Sequence, residues 1–191
     1  MNIIITGASS GIGFEAALEL SLDTKNKVVC IARSADKLRK LHEIAKSITP
    51  ECTLLPVAFD LVNDDYNALI PFIKERLGTV DILINNAGSL INKPLLETTE
   101  NDLAVMLEHN VISHFKMTRY MLQFMENGGH IVNIGSMGGF QGSMTGRENT
   151  RFVCRIHGVH DTEAVEEWVK EFSEIGQHFE LPIKGYSSGM K

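Results

Sequence analysis

The sequence has no apolar run near the roughly 18 residues that a membrane-spanning helix needs. Its start carries no basic segment followed by an apolar stretch and a small-residue cleavage site. Both absences lead us to expect a soluble cytoplasmic protein with no direct membrane insertion. Cysteine is scarce: Cys30, Cys52 and Cys154 are odd in number and far apart. That argues against a disulfide framework, offers no metal-ligand spacing, and fits a reducing compartment. Positive charge is not in excess either. The formal net charge is −6, which speaks against nucleic acid or an anionic lipid surface as a partner. Repeats and low-complexity tracts are missing as well.

What is present is an alternation of short apolar runs and longer amphipathic ones. The runs at 2–6, 27–32, 53–59, 80–84 and 130–134 are mostly β-branched or apolar, which predicts strands. Between them, 12–22, 34–45, 63–77 and 99–126 carry helical patterning, with Ser34 as an N-cap and Gly128–Gly129 ending the last helix. Strands that lack in–out alternation are buried on both faces. The expected class is therefore α/β, with a doubly wound parallel sheet of about five strands. Pro56 places the third strand at an edge, because it cannot donate to a ladder. After Phe140 no strand is predicted. Two helices are expected at 147–158 and 161–175, forming a C-terminal helical hairpin that buries Phe152, Ile156, Val165, Trp168 and Phe172 between them or against strand five. An Arg147, Arg151 and Arg155 stripe would face an acidic second helix carrying Glu163, Glu167, Glu171 and Glu174.

The chemistry-bearing segment is Thr6-Gly7-Ala8-Ser9-Ser10-Gly11-Ile12-Gly13, between strand one and helix one. Gly7 lets the chain turn sharply off the strand. Gly11 and Gly13 remove side chains where backbone must approach a pyrophosphate and where helix must pack on sheet. The helix start then offers free N–H groups to phosphate. A glycine-rich turn with no ligand is the alternative.

The string Thr-Gly-x-x-x-Gly-x-Gly resembles the cofactor loop of the short-chain dehydrogenase/reductase family, and further motifs follow in order. Asp60-Leu61 resembles the family's adenine-contacting pair, and Asn85-Asn86-Ala87-Gly88 its NNAG motif. Asn110 resembles the catalytic-relay asparagine, and Ser136 the catalytic serine. The resemblance covers residues 1–139. It implies a Rossmann-type domain that binds the cofactor through Gly7, Ser9, Ser10, Gly11, Ile12, Gly13, Arg33, Ser34, Asp60, Leu61, Asn86, Ala87 and Gly88. It also implies a small carbonyl or alcohol substrate. Where an NAD-binding unit ends its second strand on a carboxylate, this sequence reads Ala32-Arg33-Ser34. Arg33 can pair with a 2′-phosphate, so NADP is favoured over NAD. The other reading of Arg33 is a surface residue before a helix cap, which leaves the preference unset.

The family's catalytic Tyr-x-x-x-Lys pair is missing. Four residues after Tyr66, Tyr120 and Tyr186 stand Ile70, Phe124 and Met190. A phenol with no lysine beside it is a poor base at neutral pH. Without the pair, Ser136 and Asn110 read equally as a strand-end hydroxyl and a helix-packing residue. The strands and the Tyr–Lys helix that complete the family's sheet also have no counterpart, so strand five is expected to be a bare edge.

Residues 140–191 resemble something else. Gly139–Asn149 and Gly185–Lys191, with the helices between them, look like a fragment of a polysaccharide-export ABC transporter ATPase, from the helical subdomain to the signature motif. Tyr186–Met190 would occupy the signature positions; a flexible serine–glycine tail is the alternative. No G-x-x-x-x-G-K-[ST] loop accompanies it, so ATP hydrolysis is not implied. The chain thus reads as a truncated dinucleotide-binding domain, 1–139, fused to a helical appendage, 140–191. Two function classes follow: an oxidoreductase-family protein reduced to cofactor binding, or a non-catalytic module whose helices dock a transporter-like partner. Homo-oligomers are expected through the helix at 99–126 or the strand-five edge.

Overall fold

A computed structural model describes residues 1–126, 128–135, 145–156, 162–172 and 176–181. The chain divides into two compact units, Met1–Ser136 and Met137–Lys191.

The first unit is built on a five-stranded parallel sheet: β1 (Asn2–Thr6), β2 (Lys27–Ala32), β3 (Thr53–Ala58), β4 (Ile82–Asn85) and β5 (His130–Asn133). Their spatial order is β3-β2-β1-β4-β5. The first strand of the chain therefore lies in the middle, with Ile3–Thr6 opposite Val28–Ile31 on one side and Ile3–Ile5 opposite Ile82–Ile84 on the other. Pro56 does sit on an edge strand, beside Cys30.

Successive residues of each strand enter different cores. Ile3, Ile5, Val28, Cys30 and Leu54 pack with α1 (Gly11–Leu22) and α2 (Ala35–Ile48). Ile4, Val29, Ile31 and Leu83 pack on the opposite face with α3 (Leu69–Arg76) and α5 (Ser113–Met121), meeting Ile73, Met117 and Met121. Two covered faces explain why the strands show no polar alternation. α1 buries only Gly13, Ala17 and Ser21, one small residue per turn, so its backbone lies close to the sheet. α2 starts at Ser34, whose Oγ accepts from the Lys37 N–H.

Some boundaries differ from the sequence reading. The third helix begins only at Leu69, after a short 3₁₀ turn at Tyr66–Ala68 that Asp65 caps. β4 runs from Ile82, and the Val80 N–H just before it donates to the Phe124 carbonyl. The helix expected over 99–126 is three pieces: α4 (Glu100–Leu107), one π-helical turn (Glu108–Ile112) and α5, closed by a 3₁₀ turn at Leu122–Phe124. Met125 is already extended, so Gly128–Gly129 does not cap it. Gly128, at φ 100°, instead turns the chain into β5. β5 is the terminal strand of the described sheet and is exposed along its length.

The second unit holds α6 (Gly146–Ile156), α7 (Thr162–Phe172) and a 3₁₀ turn at Gly176–Glu180. Glu166 is fully buried on α7 and meets two α6 guanidinium groups: Arg147 Nη1 at 2.5 Å and Arg151 Nε at 2.6 Å. Arg147 also pairs with Glu180 and lies over the ring of buried Phe179. The sequence reading of an arginine stripe against an acidic helix holds for two arginines. The acid they share, Glu166, lies outside the acidic face that was read. The side chains of Phe152, Arg155, Ile156, Trp168, Glu171 and Phe172 fall outside the description, as do Glu174 and Tyr186–Met190.

Candidate dinucleotide-binding site

The site lies at the carboxyl ends of β1 and β4, where strand order reverses. An open crevice forms in such sheets at this switch point. Gly7 leaves β1 at φ 70°, and a Cβ there would stand 2.8 Å from Ala87 Cα. A Cβ on Gly13 would come 2.6 Å from the Gly7 carbonyl oxygen and closer still to Asn86 Nδ2. No side chain fits at either position, so the turn, helix start and β4 loop form one tight cradle.

Hydrogen bonds across the switch point hold this cradle. Thr6 Oγ1 accepts from the N–H groups of both Asn86 and Ala87 at 3.0 Å. Asn86 Nδ2 returns to the Thr6 carbonyl at 3.0 Å and the Gly7 carbonyl at 3.3 Å. Ser10, the N-cap residue of α1, makes no side-chain cap bond, so the first-turn N–H groups stay open to an anion. Asn110 clamps the far side of the loop: its Oδ1 accepts from the Ser89 N–H at 2.9 Å, and its Nδ2 donates to the Ser89 carbonyl at 2.8 Å. His114 Nε2–H donates to the Ala87 carbonyl at 2.6 Å. Both ends of the Asn110 amide are thus committed to the loop.

The resulting cleft has a volume of about 330 Å³. Of the residues predicted from sequence, Gly7, Ser9, Ser10, Ile12, Arg33, Asp60, Leu61, Asn86, Ala87 and Gly88 line it. Gly11, Gly13 and Ser34 do not. Gly11 turns the backbone at φ 58°, Gly13 packs beneath, and Ser34 caps α2. Ser136 lies outside the described residues. Sequence reasoning missed Ala32, Phe59, Val62, His109 and Ser113, which complete the wall. Ala32, Phe59 and Val62 only extend predicted neighbours. His109 and Ser113 come from the π turn and its exit, where no residue type gave a signal.

Asp60 is held below the usual carboxylate range, first by the Val62 N–H on its Oδ1, then by Asn63 Nδ2 on its Oδ2, with Arg33 adding a further pull. Tyr66 cannot act in the cleft. Its hydroxyl is buried and donates to the Leu61 carbonyl at 2.8 Å, and burial pushes its pKa further up. Among the described residues no group of three or more His, Cys, Asp or Glu is placed to hold a metal, and no helix is long and apolar enough to cross a membrane.

These features agree with what the chain is similar to. It is 34% identical over 143 residues to the NADP-dependent 3-hydroxy acid dehydrogenase of Schizosaccharomyces pombe, covering 72% of this chain and 54% of that one. The crystal structure of L-sorbose reductase from Gluconobacter frateurii, complexed with NADPH and L-sorbose, superposes with a TM-score of 0.56. It is 27% identical and covers 64% of this chain and 46% of that one. The chain spans about half the length of the curated dehydrogenases it matches. A third similarity is of a different kind. Over 60 residues the chain is 55% identical to the polysialic acid transport ATP-binding protein KpsT of Escherichia coli, covering 30% of this chain and 27% of that one. The C-terminal resemblance to a polysaccharide-export ATPase fragment thus stands beside the dehydrogenase one. The family model for short chain dehydrogenases matches residues 1–147, and the chain belongs to that family.

Proposed function

We propose that this chain binds NADP(H) in the cleft of its first unit and does not reduce carbonyl substrates. The observation that carries the binding is the cradle of Gly7, Gly13 and Asn86, which leaves no room for a Cβ at either glycine and opens the α1 start toward the cleft. The pyrophosphate would lie there. Arg33, in the cleft wall beyond β2, would meet the ribose 2′-phosphate, which is the ground for NADP over NAD. Asp60 and Leu61 would border the adenine. The cofactor, when bound, supplies or accepts a hydride. What this chain lacks is the proton-transfer partner, since none of its tyrosines has a lysine four residues on. The substrate, a small carbonyl or alcohol compound in the family, is left without a proton donor.

Self-association belongs to the same reading. α4, the π turn, α5 and the 3₁₀ turn after it expose Leu103, Leu107, Val111, Phe115 and Leu122, an apolar stripe suited to a second copy. A second reading, favoured by the KpsT similarity, is that residues 140–191 dock a transporter-like partner and the dinucleotide site is idle.

Titration with NADPH and NADH decides between them. The expected result is saturable NADPH binding, weakened more than NADH binding by Arg33→Ala, by roughly 1.5–3 kcal/mol for a charge-assisted contact. NADPH oxidation over a panel of aldehydes, ketones and quinones should stay below about one-thousandth of that of a family member carrying the pair, because acid–base catalysis supplies about 10²–10⁴-fold. Turnover abolished by Ser136→Ala would overturn the negative half of the proposal. Absence of binding to either nucleotide would overturn the positive half and leave the docking reading.

A further inference from the structure

No residue type commands a π turn, but side chains can hold one. The Ser113 N–H donates to the Glu108 carbonyl, where an α-helix would send it to His109. The Ser113 Oγ–H takes its place at the His109 carbonyl, at 2.6 Å. A second pair spans the same turn. Lys116 Nζ lies 2.8 Å from Glu108 Oε1, with 38% and 28% of the two side chains exposed. The partners stand 8 residues apart. With about 3.6 residues per turn, position i+8 of an α-helix lies roughly 80° around the axis from position i. The extra residue of a π turn removes that offset. The pair therefore closes in the π register and opens in an all-α one.

Both flanks are anchored, so a change of register must move what lies between them. α4 is tied at Asp102 to Lys93 and Thr99. α5 buries Ser113, Met117 and Met121, which fixes its rotation. Asn110 sits at the centre of the π turn. Its amide holds the Ser89 N–H and carbonyl at 2.9 and 2.8 Å, and a Cβ on Gly88 would come 2.6 Å from its Oδ1. In an all-α register Asn110 would rotate off this loop, because α5 cannot turn with it.

We infer that the Glu108–Lys116 ion pair is a register lock, which selects the π turn and through it holds Asn110 on the loop behind Asn86, Ala87 and Gly88. Glu108 and Lys116 are positioning residues. Neither is among the residues that line the cleft, and they act on it through the Asn110 amide. The effect on NADPH rests on the cofactor reading above, whereas the lock itself is measured in the free chain.

Amide hydrogen exchange of the full chain without nucleotide is the test, because Asn110 protects the Ser89 N–H and the Glu108 carbonyl protects the Ser113 N–H. Lys116→Met should speed exchange at both amides by about five-fold, the upper end for an ion pair of this exposure, while β1 and β2 amides keep their wild-type rates. Glu108→Gln should do the same, and the two changes together should go no further than either alone. The charge swap Glu108→Lys with Lys116→Glu should restore most of the protection. Added salt should bring wild type toward Lys116→Met and leave that variant unmoved. NADPH affinity should fall in the single variants by no more than the same factor, since only the π-register fraction binds. Unchanged exchange at Ser89 and Ser113, an equal acceleration at every amide, or no rescue by the swap overturns the inference and leaves the cofactor reading intact. A chain that exchanges as expected but binds neither nucleotide keeps the lock and overturns the cofactor reading.

Discussion

Asp102 lies two residues into α4, where three features converge on one carboxylate. Lys93 Nζ donates to both of its oxygens, at 2.8 and 3.0 Å, and the Thr99 N–H and hydroxyl donate to Oδ2. Thr99 in turn accepts from the Asp102 N–H, which completes a capping box. Lys93 first, then Thr99, pull the Asp102 pKa down to about 2. A folded-state pKa below the unfolded value stabilises the fold above the unfolded value, near pH 4, and that contribution disappears as pH falls through the folded one. Asp102→Asn should therefore lower stability at pH 7, and the gap to wild type should narrow as the pH of the urea melt is lowered from 5 to 3. A gap that does not change with pH would show that the carboxylate charge is not what holds this cap.

At the scale of elements, Glu166 decides how α6 and α7 hold together. Burial alone would raise its pKa. The Arg151 and Arg147 guanidinium groups more than offset that and keep it ionised. Removing the acid leaves two cations facing each other with no anion between them. Because Arg147 and Arg151 keep partial contact with solvent, the loss from Glu166→Ala should fall between the exposed and fully buried limits, at about 1–3 kcal/mol. Hydrogen exchange at α6 and α7 amides would register it, and unchanged protection there would refute this account.

The elements also divide by how readable they were. β1 and β2 announce themselves as Ile3-Ile4-Ile5 and Val28-Val29-Cys30-Ile31, because burial on both faces leaves no polar residue to blur the pattern. The glycine turn was legible because Gly7 and Gly13 have no room for a Cβ. The π turn was not, since a shift in backbone hydrogen-bond register requires no particular residue type. His109 therefore looked like any helical histidine. Glu166 was hidden for a related reason. Its neighbours Glu163 and Glu167 mark a solvated acidic face, and only the approach of α6 selects the one carboxylate that is enclosed.

At the scale of the whole molecule, the described residues include a run of exposed apolar side chains along α4, the π turn, α5 and the 3₁₀ turn that follows. Leu103, Leu107, Val111, Phe115 and Leu122 recur at helical spacing, and Phe115 is 63% exposed. An unshielded stripe of this length favours a partner surface of the same kind, which a two-fold axis supplies. Sedimentation should find a dimer, and Phe115→Glu should convert it to monomer without altering NADPH affinity, since Phe115 is not part of the cleft wall. A monomer in both would remove self-association from the proposal.

The interleaving of early and late chain at the switch point also has a kinetic meaning. The Thr6–Asn86 bonds join residues 80 apart in sequence, and β1 waits between β2 and β4 until that long loop closes. Closing it carries an entropic cost that local helices do not face, and such contacts form late. The groove is therefore made by the same event that completes the centre of the sheet. Nucleotide capture in a refolding experiment should rise with sheet completion and lag behind helix formation, so a bound dinucleotide serves as a clock for when the two ends of this loop have met.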